Sequence, residues 1–416
     1  MDFGLTGTRV VDPWRGTDRH EEVWVRHGER VTGPLEAPVT EGHGWVSGPG
    51  LVDLYAHSGE PGHERRETLE SLAQAARAGG YTHITVLPNT EPALDQVNQL
   101  RALSNNASPA TRLHLLGAMT QGCKGEKLVE AGELSPWVVG FTDDRPVSNW
   151  QQLRYFLEYT LAMGKPIFVW PRQAQLHRGT ALESATALVL GLTGIPEAAE
   201  TTAIEMLLEL VRLTGAPVHL MRLSTARGVD LVRKGKVQGL PISCSVTVSH
   251  LIHTEAELFS LDPHLRFDPP LGSTADQQAL WAGLRDGTID AIASDHTPWT
   301  YAEKTLPFTQ TPPGAVMLEL ALPLLWSRLV VPGHLDALTL WRALSLNPAH
   351  ILDAKFCSDP EHTGWIAFDP EHTWQVKERN LHTLSAATPW WGKTLKGRVV
   401  AVWQQKMHTS LAAGTL

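Results

Sequence analysis

The chain is predicted to be an α/β protein, a (β/α)8 barrel carrying a small composite β-sandwich built from its two ends. Three observations predict this. The middle of the chain alternates short apolar runs with helix-period segments, the pattern of βα units around a parallel sheet. The strand-like runs there number eight, enough to close a barrel. Both ends instead carry short alternating segments broken by Gly and Pro. A chain of 416 residues suits a barrel of about 250 residues or more with an added module.

In chain order, Thr8–Val11 and Val23–Arg26 are the first strand-like segments and fall in the range 1–50. The barrel, over 51–359, opens on Leu51–Tyr55. It continues through Ile84–Pro88, Leu113–Ala118, Trp137–Phe141, Pro166–Trp170, Val218–Leu223, Ile242–Val246 and Ile289–Ala293. Amphipathic stretches at Glu64–Ala78, Ala198–Leu213, Ala226–Lys234 and Ala275–Leu284 fall between the strands as helices. Gly364–Phe368, Trp374–Val376 and Gly397–Trp403 then place 360–416 with 1–50 in the second domain. No Ser/Gly/Pro-rich linker separates the parts, so the sheet domain is expected to dock tightly on the barrel. There is no short repeat or low-complexity tract.

Composition excludes several functions. Hydrophobic content of 42% and charged content of 19% are ordinary for a globular protein. A net charge of −9 argues against a nucleic-acid or anionic-membrane surface, which needs clustered Lys and Arg. No apolar run approaches the roughly 18 residues of a membrane span, and the start Met1-Asp-Phe-Gly-Leu lacks a basic, then apolar, leader. Cys123, Cys244 and Cys357 are odd in number and widely scattered, which suggests neither a disulfide framework nor a Cys-x-x-Cys metal site. The expectation is a cytoplasmic protein without nucleic-acid or membrane partners.

The segment Gly48-Pro-Gly-Leu-Val-Asp-Leu-Tyr-Ala-His57 is the most informative in the chain. A strand ending in Asp-x-His-x-His sets two imidazoles on one face, because side chains two apart point the same way. Here Tyr55 stands where the first imidazole would be, and only His57 remains.

Taken in order, a series of motifs resembles the dihydroorotases, specifically the long bacterial type of the cyclic-amidohydrolase superfamily. The series comprises Pro49-Gly-Leu-Val-Asp-Leu-x-x-His57, Gly59-Glu-Pro-Gly62, Leu87-Pro-Asn-Thr90, Phe141-Thr-Asp-Asp144, Gly191-Leu-Thr-Gly-Ile-Pro196, Leu223-Ser-Thr225, Ser294-Asp-His296 and Asn347-Pro-Ala349. The resemblance covers nearly the whole chain and implies a TIM barrel of the amidohydrolase type. The family hydrolyses a cyclic amide with a hydroxide activated by two zinc ions, and a carboxylate at the end of the last strand moves the proton.

Matched residue by residue, much of that equipment is missing. The family's imidazoles fall on Tyr55, His57, Trp170 and Arg222, and its carboxylates on Asp144 and Asp295. His57, Asp144 and Asp295 are therefore vestigial ligand positions, and Asp295 is also the vestigial catalytic carboxylate. The family's carboxylate-binding Arg and His are Gly59 and Trp299, and its Asn-Pro-Pro-Leu-Arg motif has Asp268 and Gly272 at its ends. Asn89 alone survives from the substrate-binding set.

The resemblance thus implies a protein of pyrimidine synthesis with no metal cofactor, and a pseudoenzyme that serves as structural partner of aspartate transcarbamoylase. A homo-oligomer is compatible with it. The alternative is a dihydroorotase or a dihydropyrimidinase/hydantoinase-like cyclic-amide hydrolase working with one metal or none. Arg222 cannot lose its proton, and it is expected to lie within hydrogen-bonding distance of Asp295 or Asp144, in the volume of the lost metals. Trp170 and Trp299 are expected to plug the former site. His219, His250 and His296 are read as structural.

Overall fold

A computed structural model describes residues 2–26, 29–31, 33–104, 111–352 and 364–404. Cys357 and the expected domain boundary at 359–360 lie outside the described residues. The chain begins with β1 (Phe3–Asp12), β2 (Thr17–Arg26), β3 (Glu29–Val31), β4 (Val39–Glu41) and β5 (Val46–Pro49). It then turns at Gly50 directly into the barrel.

The barrel strands are β6 (Leu51–Ala56), β7 (Tyr81–Val86), β8 (Arg112–Gly117), β9 (Gly140–Phe141) and β10 (Ile167–Val169). After a small two-stranded excursion, β11 (Ala181–Leu182) with β12 (Gly194–Ile195), come β13 (Val218–Leu220), β14 (Ile242–Thr247) and β15 (Ala291–Ala293). The eight barrel strands pair in parallel in the order β15-β14-β13-β10-β9-β8-β7-β6. Between the two end strands the ring is completed by other bonds. His57 N donates to His296 O at 2.8 Å, and Ser294 donates from N and Oγ to the Asp53 carboxylate at 2.7 and 2.6 Å.

Local sequence explains where the elements differ from expectation. The first helix spans Leu69–Ala78 and not Glu64–Ala78, because Thr68 and Ser71 form a reciprocal cap. Ser71 N donates to Thr68 Oγ1 at 3.1 Å, and Thr68 N to Ser71 Oγ at 3.0 Å. The strand expected over Trp137–Phe141 shrinks to two residues, since Pro136 starts a tight turn at Ser135–Trp137. The helices Ala198–Thr214, Ala226–Val237 and Thr274–Asp286 each run slightly beyond the expected segments.

At the other end of the chain, β16 (Trp365–Gln375) fuses the two segments expected at Gly364–Phe368 and Trp374–Val376, and β17 is Thr394–Trp403. Both chain ends build one seven-stranded sheet, where a small sandwich was expected. Its order is β17-β16-β5-β1-β2-β3, and β4 also pairs with β1. Strand β5 joins the two ends because it pairs with β1 on one side and β16 on the other.

One apolar cluster is this sheet's own, holding Phe3, Leu5, Val10, Val23, Val25, Trp365 and Ala367. The opposite set, including Val11, Val46, Ile366 and Phe368, merges into the main core of the barrel. Trp341 Nε1 and Ser345 Oγ donate to Pro49 O and Gly50 O, at 3.2 and 2.6 Å. The sheet thereby docks against the barrel's helical shell, far from the strand ends that carry the site.

Candidate functional site

At the carboxyl ends of the strands the structure brings together Tyr55, His57, Asn89, Asp144, Trp170, Arg222 and Asp295. Asp144, Arg222 and Asp295 share an unusual backbone. Each sits just past a strand in the left-handed region, with φ of 49°, 52° and 51°. That costs a non-glycine residue on the order of 1–3 kcal/mol, and here it accompanies side chains that meet across the mouth of the barrel.

Arg222 lies at the centre and is 3% exposed. Its Nε and Nη2 donate to Asp295 Oδ1 at 2.9 and 2.6 Å, and its Nη1 donates to Asp144 Oδ1. Aromatic rings flank the guanidinium. Its Cζ is 5.1 Å from the Tyr55 ring centroid and 5.0 Å from that of Trp170. Tyr55 is fixed in turn, since its hydroxyl lies 2.9 Å from Ser245 Oγ and accepts from Arg222 N at 3.2 Å.

Burial alone would lower the basicity of Arg222, but the charges of Asp144 and Asp295 more than reverse this and hold it well above its usual value. Burial also lowers the pKa of His57, and Asp144 opposes that effect. His57 Nε2 is 3.4 Å from Asp144 Oδ2, and Asn89 Nδ2 donates to the same oxygen at 3.1 Å. The neighbouring Asp143 turns away and accepts from Met119 N, Thr120 N and Thr120 Oγ1. Only Asp144 of the Asp-Asp pair faces the mouth.

These residues do not fit a metal pair. The volume between the two carboxylates holds a permanent cation bonded to both, and a second cation there would meet it unscreened. Among the described residues, no group of three or more His, Cys, Asp or Glu side chains is placed to hold a metal ion. His57 is held at a lower basicity, yet it remains one imidazole where the family pattern calls for four.

The mouth is not filled, which corrects the expectation that Trp170 and Trp299 plug it. A cleft of about 240 Å³ remains, lined by His57, Arg66, Asn89, Asp144, Trp170, Arg222, Asp268, Asp295 and Trp299, among others. Trp299 forms a wall: its Nε1 donates to Pro313 O at 2.8 Å, and its ring lies 4.4 Å from the Cζ of Arg66. Sequence reasoning missed Arg66, which no motif position marks. Its Nε and Nη2 grip Glu303, at 3.0 and 2.5 Å from Oε1. Gly59 is sterically required, since a Cβ there would stand 2.3 Å from His63 O and 2.5 Å from Glu67 O. Asp268 Oδ1 lies 2.8 Å from His177 Nε2.

Three other buried histidines, His219, His250 and His296, are held by hydrogen bonds within the barrel. His219 is wedged between Ser243 Oγ and Ser245 Oγ at 2.9 and 2.8 Å, and burial pushes its pKa down to about 3. His250 bonds Thr247 Oγ1 and Pro269 O, with its pKa lowered to about 4, again by burial first. His296 Nδ1 accepts from Met317 N at 3.1 Å, and its Nε2 lies 3.3 Å from Glu67 Oε2.

Comparison with known proteins identifies the family. A family model described as Dihydro-orotase-like matches residues 44–227. A "Probable dihydroorotase-like protein" of Synechocystis sp. is 40% identical over 94% of this chain and 97% of its own length. A dihydroorotase of a Geobacter species is 34% identical over 96% of this chain and 97% of its own. Among solved structures, the L-hydantoinase of Arthrobacter aurescens superposes with a TM-score of 0.84 at 20% identity, over 98% of this chain and 95% of its own; this likeness shows the fold. The chain belongs to the dihydroorotase-like family.

Proposed function

We propose that this chain is a non-catalytic member of its family, a cytoplasmic structural partner of aspartate transcarbamoylase in pyrimidine synthesis. One observation carries the first half: the Arg222 guanidinium bonds both Asp144 and Asp295, where hydrolysis in this family calls for metal-bound hydroxide. The partnership rests on the resemblance alone. It is consistent with the absence, among the described residues, of any helix long and apolar enough to cross a membrane.

Elemental analysis of protein purified without chelator tests the first half, and near one zinc per chain would refute it. So would metal-dependent turnover of dihydroorotate that Asp295→Ala abolishes. Replacing Tyr55, Trp170 and Arg222 together by His should recover metal binding before any activity. Co-purification with the transcarbamoylase tests the partnership.

A second reading, a cyclic-amide hydrolase working with one metal or none, is favoured by the open cleft beside His57 and Asp295. Turnover of an uncharged cyclic amide would select it.

A further inference from the structure

Beneath the Arg222 cluster a chain of hydrogen bonds crosses the barrel interior. Arg222 N donates to Tyr55 Oη at 3.2 Å, and Tyr55 Oη lies 2.9 Å from Ser245 Oγ. Ser245 Oγ lies 2.8 Å from His219 Nε2, and His219 Nδ1 lies 2.9 Å from Ser243 Oγ. Tyr55 comes from β6, His219 from β13 and both serines from β14. Ser243 and Ser245 are two apart in one strand and so face the same side, with Ser243 nearer the strand's start. Tyr55, Ser245 and His219 are at most 1% exposed, whereas Ser243 is half-buried. Arg222 depends on this chain of bonds. Its neighbours Met221 and Leu223 donate to Val169 O and Ser245 O, both at 2.9 Å. At φ of 52° the Arg222 N–H leaves that pattern, and among the described residues Tyr55 Oη is its one acceptor. A buried backbone N–H without an acceptor is costly.

Counting donors fixes the direction of the bonds. Burial keeps His219 neutral, its pKa pushed down to about 3, so one ring nitrogen carries a proton and the other accepts. With the proton on Nδ1, every buried donor is used: Tyr55 donates to Ser245, Ser245 to His219 Nε2, and His219 Nδ1 to Ser243 Oγ. The Ser243 hydroxyl is half-buried and can turn to water. With the proton on Nε2, His219 donates to Ser245, and the Tyr55 and Ser245 hydroxyls have one contact between them for two protons. One of those protons then has no acceptor among the described residues, in side chains that are both wholly buried. An unpaired buried donor disfavours this arrangement by about tenfold or more.

We propose that His219, as its Nδ1–H tautomer, and Ser245 orient the Tyr55 hydroxyl so that it holds the Arg222 backbone in its left-handed turn. The place of the cation at the mouth is thereby set by a relay through the barrel core. Tyr55, Ser245 and His219 are positioning residues, and the phenol at 55 does more than fill the space of an imidazole. This inference goes beyond the proposed function and needs neither metal nor partner.

Neutron diffraction from deuterated crystals of the unsubstituted chain locates the proton directly. It should lie on His219 Nδ1, and a proton on Nε2 would overturn the inference. Amide hydrogen exchange tests the positioning in solution. Tyr55→Phe keeps the ring and removes the acceptor, and should speed exchange at Arg222 by about tenfold or more. The Leu223 amide, bonded to Ser245 O in the same turn, is the control and should keep its rate, which a general loosening of the barrel would not allow. Ser245→Ala should speed Arg222 in the same selective way, and Ser245→Thr, which keeps a hydroxyl, should restore the original rate. Unchanged exchange at Arg222 in Tyr55→Phe, or equal acceleration at Arg222 and Leu223, would defeat the proposal. Should the variants fail to fold, the neutron result on the unsubstituted chain decides alone.

Discussion

Two buried arginine–carboxylate clusters stand side by side on the same two strand ends, and they differ in almost everything else. Trp170-Pro171-Arg172 and Arg222-Leu223-Ser224 each supply one residue to the mouth and, two residues on, one to the second cluster. There Arg172 and Glu200 are both 0% exposed. Arg172 Nη2 donates to Ser224 Oγ at 2.7 Å and to Glu200 Oε2 at 3.2 Å. Glu200 Oε1 accepts from Ser224 N, Thr225 N and Thr225 Oγ1, and Oε2 from Ser224 Oγ.

Glu200 lies in the first turn of Ala198–Thr214 and receives the N–H of Thr225, the residue that caps Ala226–Val237. That cluster ties helix starts together on backbone outside the left-handed region, with both charged members wholly buried. The Arg222 cluster puts three residues in the left-handed region beside open space. Its one guanidinium is shared between two carboxylates without rigid capping partners. The first pattern is that of a structural tie, and the second that of a mouth whose cation is supplied by the chain itself.

Removing the cation from the mouth should have the largest effect. Arg222→Ala leaves Asp144 and Asp295 facing each other and is expected to cost about 3–5 kcal/mol in urea unfolding. A loss below about 1 kcal/mol would mean that the carboxylates reach solvent and that the cluster is no internal ion pair.

A pH titration examines the barrel interior beneath both clusters. His250 feels Asp295 and Arg172 alike, and with His219 and His114 it is kept neutral by burial, at about 4, 3 and 4 against an ordinary 6.5. Bases with depressed folded pKa values contribute stability above pH 6.5 and lose it as pH falls through that value towards about 4. Asp53 acts in the opposite sense: burial raises it to about 7, although Ser294 bonds oppose this, so its neutral form favours folding at acid pH. At pH 5 the unfolded chain takes up three protons on the imidazoles and releases one from Asp53. The imidazoles outnumber the carboxyl, so acidification through this range is expected to lower stability. A flat profile between pH 6 and 4.5 would show that these imidazoles are hydrated.

Glu200→Gln should come next, at about 2 kcal/mol. The amide keeps one acceptor for Thr225 but leaves Arg172, wholly buried, without its counter-charge. If this variant is less costly than Asp295→Asn, the second cluster is not the tie described above.

Much of this was legible beforehand because it rests on residue type at a strand end. Tyr55, Trp170 and Arg222 could be placed from motif order, and an arginine between two carboxylates has one favourable use. The sheet joining both ends was legible from alternation. Three features were not. Arg66 enters the cleft from a loop whose path depends on backbone contacts at Gly59, which leave no periodic signal. Glu200 and Arg172 meet through capping of two helices distant in sequence. The open cleft follows from Trp299 turning to Pro313 and Arg66, a rotamer choice that composition does not encode.

The smallest effect sharpens the contrast most. Asp295→Asn removes a charge from the mouth just as Glu200→Gln does from the tie, yet it should change stability by no more than about 1 kcal/mol. Arg222 keeps the Asp144 carboxylate, and an amide oxygen at 295 can still accept from Nε and Nη2. The backbone does not oppose the exchange, because Asn, like Asp, tolerates φ near 51° better than most residues. The Asp295 charge also helps to raise Asp53, so losing it relieves a repulsion. Side-chain exposure of 18% at Asp295, against 1% at Glu200, lets water solvate the freed group. Equilibrium unfolding of the two variants in parallel decides the matter. A loss of 3 kcal/mol or more for Asp295→Asn would make the mouth as rigid a tie as the Arg172 cluster, and the distinction between them would fail.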